Sequence, residues 1–307
     1  MNRLSSGDCV AIAVVPRDRF STFPRCLEAL YANTDLPFRV SIAAGNVDPA
    51  TKAYLAELRA TKPNLTVVLE QRLLSQRDAR RIALEQVNER YCVVLENDTI
   101  VHQNWLGPLL GCMREEAAAA VMPLVFWYRG IHSAGCAFDQ QTENGAVIFR
   151  HRILYTELCR KPIDYPESHC ILIDRKLLGD IEIFDDVEPF DADLGLTLRR
   201  HGLSAFLEPR SVVTYDAPPP WQARDVLPFT FRWDPALWQR RNQQFTQKWG
   251  VTYDSSRKRA SYHRQQLKLG IARWYPTAAT IAASNVGVGS VQRLVTMLMR
   301  GRPWGRG

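Results

Sequence analysis

The sequence lacks paired cysteines. Its seven cysteines are scattered singly, their number is odd, and no two of them form a CxxC motif. This spacing argues against a zinc site built from cysteines and against a fold held together by disulfides. Cys92 lies inside an apolar run and Cys9 lies beside another, a pattern typical of buried free thiols in a reducing compartment. The sequence therefore predicts a cytoplasmic protein.

The sequence also lacks a long apolar run. The first residues, Met1 to Asp8, contain no apolar segment of the kind that a signal peptide needs, so we expect no signal peptide. The longest uncharged stretch, Trp274 to Gln292, is interrupted by proline, serine, asparagine and glycine. It is long enough to span a bilayer but too polar to make a good spanning helix.

The composition is that of a folded protein with an unusual end. Of the 307 residues, 46% are hydrophobic and 23% are charged, and the length suggests one to two domains. From Asp254 to Gly307 there are ten Lys or Arg and one acid, whereas the first 253 residues hold 29 bases and 31 acids. This basic segment predicts contact with an anionic membrane surface, an amphipathic helix packed on the domain, or a solubilising and partly disordered end. We do not expect a nucleic-acid partner, because the rest of the chain does not extend the basic surface.

Short apolar strands alternate with amphipathic helices through the first half of the chain. Strands are predicted at Val10–Val15, Arg39–Ala44, Leu65–Leu69 and Tyr91–Leu95, and helices around Leu27–Tyr31 and at Pro49–Ala60, Arg77–Arg90 and Asn104–Met113. After a stretch of mixed strands and loops, a helix at Pro189–His201 and a strand at Ser211–Tyr215 follow. This order predicts an α/β fold with a mainly parallel sheet, which binds ligands beyond the carboxyl ends of its strands.

Glu96 and Asp98 form the first candidate site. They directly follow the predicted buried strand Tyr91–Leu95, with Asn97 between them. Carboxylates in this position are ligands suited to Mg²⁺ or Mn²⁺, and such an ion could neutralise a departing diphosphate. The alternative is an ordinary solvated loop.

Two further acidic positions lie in the second half of the chain. Asp191 and Asp193 open a predicted helix, where a carboxylate could act as general base or could simply stabilise the helix dipole. Asp216 follows a short strand and precedes three prolines, so it is either a turn residue or a third ligand to the metal or diphosphate.

Several stretches, in this order, resemble glycosyltransferase family 2, whose members have the GT-A fold. The stretches are VAIAVVPRDRFSTFPRCLEAL, SQRDARRIALEQVNERYCVVLENDTIV, NWLGPLL, IHSAGCAFD and EPFDADLGLTLRRHGLSAFLEP. The fourth is similar to a segment of rhamnosyltransferase-like members. The resemblance covers about residues 8 to 250, and weak motifs in the right order and spacing are more specific together than singly.

The resemblance implies a nucleotide-diphospho-sugar transferase with a Rossmann-like, mainly parallel mixed sheet flanked by helices. It implies that Glu96 and Asp98, with Asp216, hold Mn²⁺ or Mg²⁺, and that Asp191 is the catalytic base. The residues that it places near the nucleotide sugar, together with polar positions beside them, are Pro16, Arg17, Asp18, Gly45, Asn46, Asp48, Arg80 and Asn97.

The sequence departs from the family pattern at four places. The Asp that usually follows the second strand is Ala44, and the Asn of the "ARN" segment is Arg81. The Glu before the catalytic Asp is Phe190, and the metal-binding His near the end of the domain is Tyr215. These departures leave the choice of nucleotide open.

The sequence as a whole predicts a GT-A domain over residues 8–220 and a helical, basic C-terminal region over residues 221–307. The implied reaction is inverting transfer of a sugar from a nucleoside diphosphate sugar to a hydroxyl of a glycan or lipid-linked acceptor, in cell-envelope or other glycan synthesis. The predicted location is the cytoplasm, on the membrane's cytoplasmic face if the basic region binds lipid. One alternative is a non-catalytic nucleotide- or glycan-binding module. A nucleotidyltransferase is disfavoured because no glycine-rich phosphate loop follows the first strand.

Overall fold

The computed structural model describes residues 9–127, 130–143, 146–182, 187, 189–216 and 221–253. Through residue 115 the elements are β1 (Val10–Val15), α1 (Phe23–Asn33), β2 (Phe38–Gly45), α2 (Pro49–Thr61), β3 (Leu65–Glu70), α3 (Gln76–Glu85), β4 (Tyr91–Glu96), β5 (Thr99–Val101) and α4 (Leu106–Glu115). They follow the predicted alternation of strands and helices.

The second half of the chain is richer in strands. Its elements are β6 (Ala120–Trp127), β7 (Gly130–Ser133), β8 (Cys136–Glu143), β9 (Ala146–Ile153), β10 (Lys161–Ile163), β11 (Cys170–Asp174), α5 (Arg175–Leu178), α6 (Phe190–Arg200), β12 (Ala205–Tyr215), α7 (Val226–Arg232), α8 (Pro235–Trp249) and β13 (Thr252–Tyr253). The strand predicted at Ser211–Tyr215 is the second half of β12.

One mixed sheet carries most of these strands. Its order is β10-β12-β6-β11-β4-β1-β2-β3, with β5 paired to β12 and β7 paired to β6. The strands β4, β1, β2 and β3 are parallel, whereas β11 runs antiparallel to both β4 and β6. A second sheet has the order β13-β9-β8. The predicted α/β fold with a mainly parallel mixed sheet is confirmed.

The main sheet is buried on both faces because its central strands β1, β4 and β11 are apolar at nearly every position. Along β1, Val10, Ile12 and Val14 contribute to one core cluster and Ala11, Ala13 and Val15 to the other. This division follows from the two-residue period of a strand. Helices α1, α2 and α4 cover the first face, and α3, α5 and α6 cover the second. Polar side chains begin at the carboxyl ends of these buried strands, and the candidate site lies there.

Two predicted helices have different limits in the structure. The fourth helix begins at Leu106 because Asn104 has a φ of +59°, which a helix cannot include. The third helix ends at Glu85, and Val87 is buried beyond its end. Gly202 follows α6 with a φ of +66°, as expected for a glycine that ends a helix.

The residues after 220 pack closely on the rest of the fold. Asp225 accepts hydrogen bonds from the backbone amides of Phe20 and Ser21 at 3.0 and 2.9 Å. Trp233 Nε1 donates to Asp18 Oδ2 at 3.0 Å. The predicted helices of this region are present as α7 and α8, while its basic part, from Asp254 onward, lies outside the described residues. The boundary at residue 220 stays a prediction.

Among the described residues, none of the helices combines the length and the apolar composition needed to cross a bilayer. The uncharged stretch Trp274 to Gln292 lies outside the residues that the structure describes.

Candidate active site

The acidic motif lies at the carboxyl end of β4 and is buried rather than solvated. Glu96 and Asn97 are fully buried, and Asp98 is nearly so. The backbone around them is fixed by three hydrogen bonds: Glu96 N to His169 O at 3.0 Å, Asn97 N to Val15 O at 2.9 Å, and Asp216 N to Asp98 O at 2.7 Å. The interpretation of this motif as an ordinary solvated loop is therefore wrong, because both carboxylates are buried. Buried carboxylates need cationic or hydrogen-bonding partners.

Asn97 fixes the loop that follows β1. Its Oδ1 accepts from the amide of Arg17 at 3.0 Å, and its Nδ2 donates to the carbonyl of Arg19 at 2.6 Å. Both polar ends of the Asn97 side chain thus bind the chain's own loop. In this structure Asn97 positions the residues around Arg17, and its predicted contact with a nucleotide sugar stays a prediction.

Three side chains surround the carboxylate of Glu96. Gln76 Nε2 donates to Glu96 Oε1 at 2.9 Å, Arg80 Nη2 lies 3.6 Å from the same oxygen, and Arg17 Nε lies 3.3 Å from Oε2. Burial raises the pKa of Glu96, but the charges of Arg17, His169 and Arg80 outweigh burial and lower it below its ordinary value. The carboxylate of Glu96 is therefore ionised.

Arg17 joins Glu96 to Asp98. Its Nη1 lies 3.1 Å from Asp98 Oδ2, and its guanidinium lies over the ring of Tyr215, 5.0 Å from the centroid. Burial and the neighbouring charge of Glu96 raise the pKa of Asp98 to about 6, although Arg17 opposes them. Within the described part of the chain, Asp98 Oδ1 is buried without a hydrogen-bond partner. An orphaned carboxylate oxygen of this kind is a candidate metal ligand.

A cluster of His132, Glu167 and His169, which sequence reasoning did not find, lies beside the acidic motif. His169 Nδ1 lies 2.5 Å from Glu167 Oε1, and His132 Nε2 lies 4.0 Å from the same oxygen. Burial lowers the pKa of His169, but the negative charge of Glu167 and its hydrogen bond raise it to about 9. Burial lowers the pKa of His132 to about 4.

The cluster had only a weak signal in the sequence. Glu167 and His169 are two residues apart just before β11, and His132 lies within the IHSAGCAFD stretch. An E-x-H triplet alone is common, and only the fold brings His132 to it. A search for histidines beside carboxylates could have found Glu167 and His169 but not their place next to Glu96.

Glu96, Asp98 and His169 form a set of groups that could hold a metal ion. One ligand atom from each lies within 4.8 Å of the others, and all three residues are buried. Two carboxylates and one imidazole suit Mn²⁺, and the orphaned Asp98 Oδ1 offers a further oxygen. Glu167 lies on the far nitrogen of His169, in the manner of carboxylates that orient metal-binding histidines. The residues present therefore fit a divalent ion.

Asp216, the predicted third ligand, has a different partner in this structure. Its amide binds the carbonyl of Asp98, but its carboxylate forms an ion pair with Arg25 at 2.8 Å. Burial raises the pKa of Asp216, and the charge of Arg25 partly offsets this. His169 rather than Asp216 completes the cluster with the two acids of the motif, and the predicted role of Asp216 stays a prediction.

The two aspartates at the start of α6 differ in their surroundings. Asp193 is fully buried, and its Oδ1 lies 2.8 Å from Trp249 Nε1 and 2.7 Å from Lys248 Nζ. Asp191 is only partly buried. The preceding residue, Phe190, lies under the guanidinium of Arg80 at 3.7 Å, and Arg80 in turn approaches Glu96. The start of α6 is thus joined to the acidic motif through a single arginine.

A cleft, partly open to solvent, lies beside Arg17 and Gln76, two of the side chains that approach Glu96. It brings three of the predicted nucleotide-binding residues together with side chains from the segment before α3 and from α7 and α8. The lining includes Pro16, Arg17, Phe20, Gly45, Leu74, Gln76, Phe231 and Arg241. Nucleotide clefts of α/β sheets lie at such an edge, beyond the carboxyl ends of the strands.

Three predicted residues have structural partners of their own. Asp48 caps α2 by accepting hydrogen bonds from the amides of Ala50 and Thr51. Asn46, exposed with a φ of +50°, follows β2, and its amide binds the carbonyl of Glu70. Asp18 accepts from Trp233, as described above. Their roles toward a nucleotide sugar stay predictions.

The sheet and the acidic motif at its carboxyl edge define the GT-A class of fold. The profile of the family described as glycosyl transferase family 2 matches residues 10–179, and the chain belongs to this family. No curated protein matches the sequence.

Among solved structures, the chain is similar to the crystal structure of GalNAc-T7 with UDP, GalNAc and Mn²⁺, with a TM-score of 0.56 and 15% sequence identity. The match covers 74% of this chain and 48% of the GalNAc-T7 chain, so the chain spans about half the length of that structure. At this level of identity, the similarity shows a common fold.

Proposed function

We propose that the protein is an inverting glycosyltransferase that moves a sugar from a nucleoside diphosphate sugar to an acceptor hydroxyl. The observation that carries the proposal is the buried cluster of Glu96, Asp98 and His169 at the carboxyl edge of the sheet, which could hold a divalent ion. Helix α6, which carries the proposed general base Asp191, contacts this cluster through Phe190 and Arg80. Membership of glycosyl transferase family 2 supports this function.

Glu96, Asp98 and His169 would hold Mn²⁺ or Mg²⁺, with Glu167 orienting the imidazole. When bound, such an ion supplies a Lewis acid that neutralises the charge on the departing diphosphate. The GalNAc-T7 structure contains UDP and Mn²⁺, which supports a nucleotide donor and a divalent ion for this fold. The cleft beside Arg17 and Gly45 would take the nucleotide.

Asp191 would accept the proton of the acceptor hydroxyl as that oxygen attacks the anomeric carbon. The bond to the diphosphate breaks on the opposite side of the sugar, so the configuration inverts and no covalent intermediate forms. The transition state resembles an oxocarbenium ion. The contacts of Asp193 with Lys248 and Trp249 favour Asp191 over Asp193 as the base, because they hold the Asp193 carboxylate against α8.

The acceptor is proposed to be a glycan or a lipid-linked glycan. The basic segment from Asp254 to Gly307 would bring the enzyme to an anionic membrane surface, but it lies outside the described residues. Both the membrane contact and the rhamnosyltransferase-like subtype stay predictions.

The test is a donor screen followed by a turnover assay. Thermal unfolding with UDP, GDP, dTDP and CMP, with and without Mn²⁺, identifies the nucleotide, since a ligand at 100 times its Kd stabilises the fold by about 2.7 kcal/mol. The corresponding nucleotide sugar is then assayed with Mn²⁺ and with EDTA. We expect turnover with Mn²⁺, and neither turnover nor donor binding in the double variant Glu96→Gln, Asp98→Asn. Donor binding without any hydrolysis or transfer would instead indicate a non-catalytic module.

A further inference from the structure

The guanidinium of Arg17 lies between the three candidate metal ligands. Its Nη1 is 3.1 Å from Asp98 Oδ2 and 3.3 Å from His169 Nε2, and its Nε is 3.3 Å from Glu96 Oε2. The side chain of Arg17 is only 10% exposed. A single cationic group therefore contacts all the groups that the proposed function assigns to a divalent ion.

The position of Arg17 offsets the cost of burying two carboxylates side by side. Glu96 and Asp98 are both buried, and two neighbouring carboxylates without a cation would be strongly unfavourable in a protein interior. Arg17 supplies that cation whenever no divalent ion is bound. The nitrogen of His169 that Arg17 approaches is also the one that faces the acidic motif, 3.9 Å from Glu96 Oε2, and it is the nitrogen that would bind the metal.

Arg80, the other arginine at the motif, is not in the same position. Arg80 Nη2 lies 3.6 Å from Glu96 Oε1, and the Arg80 guanidinium lies against the ring of Phe190. Arg17, by contrast, also lines the cleft next to the motif, together with Pro16 and Gly45. The side chain of Arg17 thus borders open space into which it can move when it leaves the carboxylates.

We propose that Arg17 is the resident counter-ion of the acidic motif and that a divalent ion must displace it into the cleft in order to bind. This inference rests on the proposed function, in that it assigns the metal to Glu96, Asp98 and His169. Arg17 then sets the metal affinity. The apparent Kd for the ion is the intrinsic Kd divided by the fraction of molecules in which Arg17 has left the ligands. It is a positioning residue, which acts on the reaction through the metal site.

The test measures the binding of Mn²⁺ alone to the full chain by isothermal titration calorimetry. In Arg17→Gln the guanidinium that contacts all three ligands is removed, so we expect Mn²⁺ to bind about tenfold more tightly or better than in the wild type. Mn²⁺ should also raise the Tm of Arg17→Gln by more than that of the wild type, since the variant has lost its own counter-ion. The double variant Glu96→Gln, Asp98→Asn should show no binding and so identifies the site.

Arg25→Gln is the charge-matched control. Arg25 is 62% exposed and pairs with Asp216 at the edge of the site, so removing it changes the nearby charge without emptying the ligands. We expect its Mn²⁺ affinity to stay within about twofold of the wild type, because Arg25 pairs with Asp216 and not with Glu96, Asp98 or His169. If Arg17→Gln does not fold, Arg17→Lys replaces it. A lysine ammonium is too compact to contact both carboxylates and the imidazole, so Mn²⁺ should again bind more tightly.

Wild-type binding of Mn²⁺ with equal or weaker binding in the Arg17 variants would overturn this inference and leave the proposed metal site intact. Equal tightening in Arg25→Gln would also overturn it, because the effect would then be one of general charge. Absence of Mn²⁺ binding in every variant, with sugar transfer persisting in EDTA, would overturn the metal part of the proposed function and this inference with it.

Discussion

At the scale of single residues, substitutions of the two aspartates of α6 test which of them is the catalytic base. Asp191→Asn keeps the shape of the side chain but cannot accept a proton at neutral pH, so we expect kcat to fall by about 10² to 10⁴. Donor binding should be preserved, because the proposed role of Asp191 is to accept a proton from the acceptor hydroxyl and not to bind the donor. The measurement is steady-state kinetics with the donor identified by the thermal screen.

Asp193→Asn is the matched control for this variant. It breaks a buried ion pair with Lys248, so its main effect should be a lower Tm rather than a lower kcat. A normal kcat in Asp191→Asn, combined with a large loss of kcat in a folded Asp193→Asn, would transfer the role of base to Asp193.

Much of the site could be predicted at this scale, and its limits have physical causes. Glu96 and Asp98 directly follow an apolar strand, so their place at the sheet edge is a local property of the sequence. Glu167 and His169 escape such reasoning because their significance depends on the pairing of β11 with β4. The bridging position of Arg17 depends likewise on the loop conformation fixed by Asn97.

At the scale of secondary structure elements, Gly45 tests how closely β2 packs on the segment before α3. A Cβ at this position would lie 2.2 Å from Arg72 O and 2.7 Å from Leu74 N, both of them backbone atoms that cannot rotate away. Gly45→Ala should therefore lower the free energy of unfolding by about 1–3 kcal/mol. It should also weaken nucleotide binding, because Gly45 and Leu74 both line the cleft. Denaturant unfolding and a nucleotide titration measure the two effects.

Gly111→Ala gives the opposite expectation from the same chemical change. Gly111 is inside α4, and its nearest contact for an added Cβ is the flexible end of Glu115 at 4.0 Å. Alanine should stabilise the helix by about 0.5–1 kcal/mol. A destabilising effect of similar size in both variants would contradict the argument from close packing at Gly45.

The elements themselves were predictable where the pattern of apolar residues is simple. β1 spans Val10–Val15 in both prediction and structure, because a continuous apolar run ended by Pro16 fits a doubly buried parallel strand. The second sheet was not predicted. Its strands β8 and β9 mix polar and apolar residues, and β13 joins β9 from about a hundred residues away in the sequence.

At the scale of the whole molecule, the reactivity of the seven cysteines measures how much of the fold is closed to solvent. All seven are free thiols: Cys159 is exposed, Cys9 is partly exposed, and the other five are buried. Burial raises the pKa of Cys92 to about 11 and that of Cys112 to about 12, so these thiols stay protonated and unreactive at pH 8.

We therefore expect one fast reaction with Ellman's reagent at pH 8, that of Cys159, and a slower one from Cys9. The remaining five thiols should react only after denaturation. Cys159→Ser serves as the control and should remove the fast phase alone. A native protein in which more than two thiols react rapidly would be inconsistent with the buried positions described above.

The contacts of Asp18 with Trp233 and of Ser21 with Asp225 have a consequence for recombining this enzyme with its relatives. A hybrid joined at residue 179, where the family match ends, would take the β1 loop from one parent and its hydrogen-bond partners from another. Such a hybrid would take the two parts of the cleft lining, the loop after β1 and helix α7, from different parents and lose the hydrogen bonds that join them. A junction after Tyr253 transfers both together, and in an alignment of homologues these two pairs of positions should change in concert.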